Sequence, residues 1–287
     1  MPRLAYVNGR FLRQAEATVS IEDRGFQLSD GVYEVWAVFG GRLVDSEAHF
    51  SRLDRSLSEL AIAPPMGRPA LDRILRETIR RNGLREGTVY LQVTRGAAPR
   101  DHAFPNPAPK PTLVVTAKRS DPAAAEARAA AGVKVITLPD IRWGRCDIKS
   151  VALLPNVLAK QAAREKGAFE AWLVDSAGLV TEGAASNAWI IDAEGVLRTR
   201  DTAANILRGV TRLSLVDLAR QAGLKVQERA FTVAEAKSAK EAFLTGAGAL
   251  VMPIVRIDDA MIGDGRPGPV AKQLRALYIQ HGRKSAI

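Results

Sequence analysis

Three observations predict a two-domain α+β protein. At about 150 residues per domain, the 287-residue chain is long enough for two cores. Strand-like and helical spacings are both found in each half. Between the halves the composition shifts: Ser120 to Gly132 (SDPAAAEARAAAG) is rich in alanine and poor in large apolar residues. That stretch is the expected linker, with an N-terminal domain over 1–119 and a C-terminal domain over 133–287; a short surface helix there is equally compatible.

The elements follow in order. Leu4 to Phe11 alternates around Asn8-Gly9, a turn dipeptide that favours a hairpin. Tyr33 to Val38 (YEVWAV) and the residues after Gly40-Gly41 read as a second hairpin. From Glu47 the spacing becomes helical, with Phe50, Leu53, Leu57, Leu60 and Ile62 on one face and an end at Pro64-Pro65. Leu71, Ile74, Leu75 and Ile79 mark another helix, stopped at Asn82-Gly83. Thr88 to Thr94 and Thr112 to Ala117 are rich in β-branched residues and flank a proline-rich loop, Ala97 to Pro111. In the second half, strands are expected over Val133 to Leu138, Ala171 to Val174 and Ala188 to Ile191. Helices are expected over Pro155 to Lys166, Thr211 to Ala222, Val233 to Ala239 and Pro269 to His281.

Composition removes several function classes. The formal net charge is +10, yet no basic run exceeds two residues, which argues against a nucleic-acid-binding tail and suits anionic small molecules. The single Cys146 excludes a disulfide framework, and three scattered histidines give no metal-ligand motif. The N-terminal MPRLAYVNGRF has no apolar signal core, and the longest mostly apolar stretch, Phe243 to Val255, is too short to span a bilayer. A cytoplasmic protein with no metal, membrane or nucleic-acid partner is expected.

Three places could carry chemistry. Lys149, in CDIKSVALL, lies among apolar residues that suggest a buried strand end. It is either a snorkelling surface lysine or a partly desolvated amine fit for a Schiff base. Glu182, just before the small residues Gly183-Ala184-Ala185-Ser186, is either a turn residue or a carboxylate aimed at a ligand. Gly209-Val210-Thr211 opens a helix, as a plain cap or as an anion site.

Together and in this order these residues carry a resemblance. The blocks RGFQLSDGVYEV (Arg24 to Val35), AHFSRL (Ala48 to Leu53), VTRGAAPRDHAFP (Val93 to Pro105), IRWGRCDIKS (Ile141 to Ser150), VTEGAASN and ILRGVTR resemble those of the class IV pyridoxal-phosphate-dependent aminotransferases, most closely the enzymes acting on D-amino acids. The likeness covers nearly the whole chain. It implies the fold type IV architecture, with the cofactor pyridoxal 5′-phosphate between the two domains.

The resemblance also implies roles. Lys149 would hold the cofactor as a Schiff base and shuttle the substrate's α-proton. Glu182 would bind the pyridine nitrogen and keep it protonated, making the ring an electron sink. Arg52 would bind the phosphate, with backbone amides of Gly209 and Val210 and the amide and hydroxyl of Thr211. Leu207 would pack on the ring, and Ala247 would lie in a second phosphate loop. Tyr33, Arg100 and His102 would trap the substrate carboxylate, the latter two reaching over the neighbouring subunit of a homodimer. D-amino acids and 2-oxo acids are the implied substrates.

The chain departs from the pattern at Ala184-Ala185, where hydroxyl residues are common. Gly246-Ala247-Gly248 likewise replaces a hydroxyl-rich phosphate loop, with Thr245 nearby. Weaker cofactor affinity is the expected consequence. Other activities share this fold: branched-chain L-aminotransferases, (R)-amine transaminases and aminodeoxychorismate lyases. The block from Val93 to His102 sets the chain apart from the first, and Arg100 with His102 from the second. Retention of Lys149 and Glu182 speaks against a non-catalytic binding relative.

Overall fold

The computed structural model describes residues 3–203 and 206–286. The chain divides into two compact units. One comprises Met1–Asp121, Ile148–Ala152 and Gly282–Ile287; the other comprises Pro122–Asp147 and Leu153–His281.

The first unit contains β1 (Leu4–Val7), β2 (Arg10–Arg13), α1 (Arg24–Leu28), β3 (Gly31–Phe39), β4 (Arg42–Leu43), α2 (Ser46–Glu59), α3 (Arg68–Arg81), β5 (Gly87–Thr94) and β6 (Thr112–Arg119). Among the described residues its six strands form one antiparallel sheet in the order β2-β1-β6-β5-β3-β4. The period of two along β3 puts Val32, Trp36 and Val38 into a core with Phe50, Leu53 and Leu57 of α2 and Leu71, Leu75 and Ile79 of α3.

Helix α2 ends at Glu59, short of the expected proline stop. Ala61 adopts a left-handed φ of 49°, which breaks the helix. The carbonyls left over there are taken up by the buried Arg95, whose Nη2 donates to Leu60 O at 2.7 Å and Nη1 to Ala61 O at 2.9 Å. Ile62 still joins the core, but from the loop.

The second unit contains α4 (Pro122–Ala131), β7 (Val133–Pro139), α5 (Leu154–Glu165), β8 (Glu170–Val174), β9 (Val180–Gly183), β10 (Asn187–Ile191), β11 (Leu197–Thr199), α6 (Val210–Gln221), β12 (Val226–Glu228), α7 (Val233–Lys237), β13 (Glu241–Gly246), β14 (Leu250–Ile257) and β15 (Ala260–Met261). It also holds most of α8 (Pro269–Ser285), whose last turn lies in the first unit. Its nine described strands run β12-β11-β10-β13-β14-β7-β8-β9, with β15 on β14. The β14–β7 and β7–β8 pairs are parallel. The apolar stretch Phe243 to Val255 falls within the antiparallel hairpin β13–β14, turning at Ala247.

The division of the chain differs from a single linker. The alanine-rich stretch forms α4, which belongs to the second unit and buries Ala129. Two segments return to the first unit. Ile148–Ala152 pairs with the start of β3, through Tyr33 N to Lys149 O at 3.0 Å and Val151 N to Gly31 O at 3.0 Å. At the C-terminus, Ala286 packs with Ala37 and Val44.

Candidate active site

Lys149 is not at a strand end. It is half-buried in a short segment held against β3 by an isolated Val32–Ser150 bridge and by its own N–H on Ser56 Oγ at 3.3 Å. Its Nζ lies 4.1 Å from the centroid of the Tyr33 ring, which itself stacks on Tyr90. Among the described residues of its unit, no carboxylate accepts a bond from Nζ, so the amine is not locked in an ion pair.

Alternation on β3 turns Glu34 to the face opposite Tyr33, where it is completely buried. There it meets His49 and Arg52, three residues apart on α2. Arg52 Nε donates to Glu34 Oε1 at 2.7 Å and Nη2 to Oε2 at 2.8 Å, while His49 Nδ1 lies 2.7 Å from Oε2. Burial alone would push the Glu34 carboxyl up, but the charge and hydrogen bonds of Arg52, with the hydrogen bond of His49, outweigh it and hold it well below its ordinary value. His49 is also depressed, because burial outweighs the pull of Glu34. With Glu34 ionised, the neutral imidazole carries its proton on Nδ1. The expected phosphate arginine therefore has its guanidinium plane fixed by a buried carboxylate.

Arg100 and His102 are exposed on the proline-rich loop, and the structure records no contact of either with Tyr33 within the chain. The loop is anchored from below. Asp30 receives Arg24 Nε at 2.8 Å and Arg95 Nε at 2.7 Å. Arg24 Nη1 then donates to Asp101 O at 2.6 Å, and the Arg95 guanidinium lies 3.6 Å over the Phe104 ring.

In the second unit, Glu182 lies within β9 rather than in a turn and is buried. Its Oε1 accepts from Arg142 Nη1 at 2.6 Å and from Leu207 N at 3.1 Å; its Oε2 accepts from Asn187 Nδ2 at 3.0 Å. Asn187 Nδ2 also reaches Leu207 O at 3.1 Å, tying half-buried Leu207 to the same carboxylate. A Cβ on Gly209 would lie 2.0 Å from Asn187 Oδ1, so only glycine lets the start of α6 approach this closely.

The helix start differs in detail from expectation. The Gly209 N–H is already engaged by Leu207 O at 2.8 Å, so of the three expected amides those of Val210 and Thr211 remain at the mouth of α6. The buried Thr211 hydroxyl accepts from Tyr278 at 3.4 Å and retains its own proton for donation. Thr245 has the same arrangement with Trp189, whose Nε1 donates to its hydroxyl at 2.9 Å. Ala247, in the hairpin turn, brings no side-chain donor. At the other departure, the amides of Ala184 and Ala185 bond internally, to Ala171 O at 2.9 Å and to the buried Glu170 at 3.2 Å.

Sequence reasoning missed Glu34, His49, Asp140, Arg142 and Asn187. The signal for Glu34 was available: a lone carboxylate on the core face of an apolar strand must find a cation. Arg142, inside the IRWGRCDIKS block, gave no local signal.

Comparison with known proteins places the chain in a family. The class IV amino-transferase family matches residues 31–257. A D-alanine aminotransferase from Bacillus licheniformis is 41% identical over 268 residues, covering 93% of each chain. One from Staphylococcus haemolyticus is 39% identical over 270 residues, 94% of each. Among solved structures, a T.th. branched-chain amino acid aminotransferase with pyridoxamine 5′-phosphate superposes with a TM-score of 0.89 at 28% identity, over 99% of this chain and 95% of that one. The Escherichia coli branched-chain enzyme shares the fold at 22% identity, with a TM-score of 0.89 over 98% and 94%. A family match from β3 through β14, which takes in Lys149 and the buried Glu182, makes this chain a member of the class IV aminotransferases.

Proposed function

We propose that this aminotransferase uses pyridoxal 5′-phosphate to move the amino group of a D-amino acid, D-alanine foremost, to a 2-oxo acid such as 2-oxoglutarate or pyruvate. The observation that carries the reading is the buried Glu182 carboxylate, held from three sides beside two uncommitted amides of α6. Near-complete likeness to D-alanine aminotransferases at about 40% identity supports the D-amino-acid preference, against 28% for the branched-chain structure.

The donor set fits the cofactor. Glu182 suits a protonated ring nitrogen, and the close approach permitted by Gly209 leaves the start of α6 to a phosphate. Arg52 and the Thr211 hydroxyl would bind that phosphate, Leu207 would pack on the ring, and Ala247 would contribute backbone only. When bound, pyridoxal phosphate stabilises the negative charge left at the substrate's α-carbon. Lys149 Nζ would hold the cofactor covalently and, once displaced by the donor amine, take the proton from the donor's α-carbon; in the second half-reaction it would give a proton to the α-carbon of the acceptor. Tyr33, Arg100 and His102 would fix the substrate carboxylate and so select the hand of the α-carbon.

In the same reading the enzyme is a cytoplasmic homodimer. The stripe Leu154, Val157 and Leu158 on α5, exposed at 69%, 57% and 55%, supports association with a second copy. Exposure of Arg100 and His102 fits a role at the partner's site. The one cysteine is free, as in a reducing compartment, and no helix among the described residues is long and apolar enough to cross a membrane.

Incubating the purified protein with D-alanine or L-leucine, each with 2-oxoglutarate, tests the proposal. Faster turnover of L-leucine would hand the assignment to the branched-chain activity.

A further inference from the structure

Glu182 shares its guanidinium partner. Arg142 is bidentate on Asp140, with Nε to Oδ1 at 2.9 Å and Nη2 to Oδ2 at 2.8 Å, while its Nη1 reaches Glu182. Asp140 also accepts from Thr181 Oγ1 at 2.7 Å and from the Arg142 backbone N–H at 3.1 Å. The three charged side chains are 12%, 7% and 5% exposed in the order Asp140, Arg142, Glu182, so water screens them little.

The charge count has a consequence. A guanidinium paired with Glu182 alone would cancel its charge and leave no field to hold a proton on a ring nitrogen. One guanidinium between two carboxylates leaves one formal negative charge. Cys146, Asn187 and the Leu207 amide beside the cluster bring no charge to it. Burial pushes the Cys146 thiol up to about 11, which keeps it neutral, and Asp147 is paired with Arg145. Asn187 and the Leu207 amide are neutral donors.

We propose that Asp140 is a positioning residue that offsets Arg142, so that the carboxylate of Glu182 keeps its pull on a protonated cofactor nitrogen. The inference rests on reading Glu182 as the partner of that nitrogen. Burial would push the Asp140 carboxyl up, but its bonds to Arg142 and Thr181 and the charge of Arg142 hold it below its ordinary value, so it is ionised at neutral pH.

The test uses holoenzyme loaded with pyridoxal phosphate carrying ¹⁵N in the ring, whose chemical shift separates protonated from unprotonated nitrogen. In the wild type the protonated signal should persist from neutral into alkaline pH. Asp140→Asn removes the offsetting charge and should lower the midpoint of its loss by about one pH unit, with kcat falling and KM for the amine donor unchanged. Asp140→Glu restores the charge and should bring the midpoint back towards wild type; a midpoint as low as that of Asp140→Asn overturns the charge argument in favour of packing. Glu182→Gln separates the two levels of the reading. If it abolishes the protonated signal while Asp140→Asn leaves the midpoint unmoved, the role of Asp140 is refuted and that of Glu182 stands. If Glu182→Gln changes nothing, the reading of Glu182 fails, and the inference with it. Should Asp140→Asn not accumulate as folded protein, Thr181→Val removes a hydrogen bond from Asp140 but no charge. Its midpoint should stay at the wild-type value, and a drop as large as one unit would overturn the proposal.

Discussion

Arg52 grips Glu34 with two parallel bonds, Nε to Oε1 at 2.7 Å and Nη2 to Oε2 at 2.8 Å, at a carboxylate fully shut away from water. Replacing one partner of such a pair leaves a buried charge without compensation. Glu34→Gln should therefore lose about 3–5 kcal/mol of stability, measured by urea denaturation at neutral pH. A loss within the range of ordinary surface substitutions would show that the pair does not organise the unit.

The same carboxylate predicts acid sensitivity. Its folded-state pKa lies below the ordinary 4.5, so the unfolded chain binds the extra proton first. Its contribution is therefore complete above the unfolded value and is lost as pH falls from there towards the folded value near 2. Denaturation midpoints across that window should slope less in Glu34→Gln than in the wild type.

His49 adds a second window. Burial lowers its pKa from 6.5, so the folded protein favours the neutral ring and stability declines as pH falls below that value. With only three histidines in the chain, two-dimensional NMR of the ring protons can follow each one. One imidazole, lost in His49→Gln, should titrate at lower pH than expected of an exposed histidine.

Lys149 should carry the cofactor. Borohydride reduction and peptide mapping should place the label in CDIKSVALL, and Lys149→Ala should keep the fold while turnover drops by several orders of magnitude. A label on another lysine would remove Lys149 from the mechanism.

Gly209 should tolerate nothing larger. An added methyl would stand 2.0 Å from Asn187 Oδ1, at the junction of Glu182, Leu207 and the start of α6. Gly209→Ala should cost about 1–3 kcal/mol by overpacking and weaken retention of pyridoxal phosphate, read by equilibrium dialysis. Wild-type retention would exclude this end of α6 from the phosphate site.

Arg100 tests the substrate side. If it holds the carboxylate, a charge-assisted bond worth about 1.5–3 kcal/mol is lost in Arg100→Ala, and KM for D-alanine should rise by roughly tenfold to a hundredfold. An (R)-amine without a carboxylate should be affected far less. Equal effects on both substrates would assign Arg100 to shaping the loop.

What the sequence by itself determined is what local spacing encodes. Phe50, Leu53 and Leu57 repeat as a helix face must, and β3 alternates as a half-buried strand must, because side-chain direction follows the chain's own period. The six ordered blocks, which include Lys149 and Glu182, carried the family without any coordinates. Tertiary structure decided which distant segments complete one another's hydrogen bonds. The return of Ile148–Ala152 to β3, the grip of Arg52 on Glu34, and the bond of Arg142 to Glu182 join residues well apart in the chain. No periodicity registers such pairings. They follow from the cost of burying a polar group without a partner, and the partner is chosen by the whole fold.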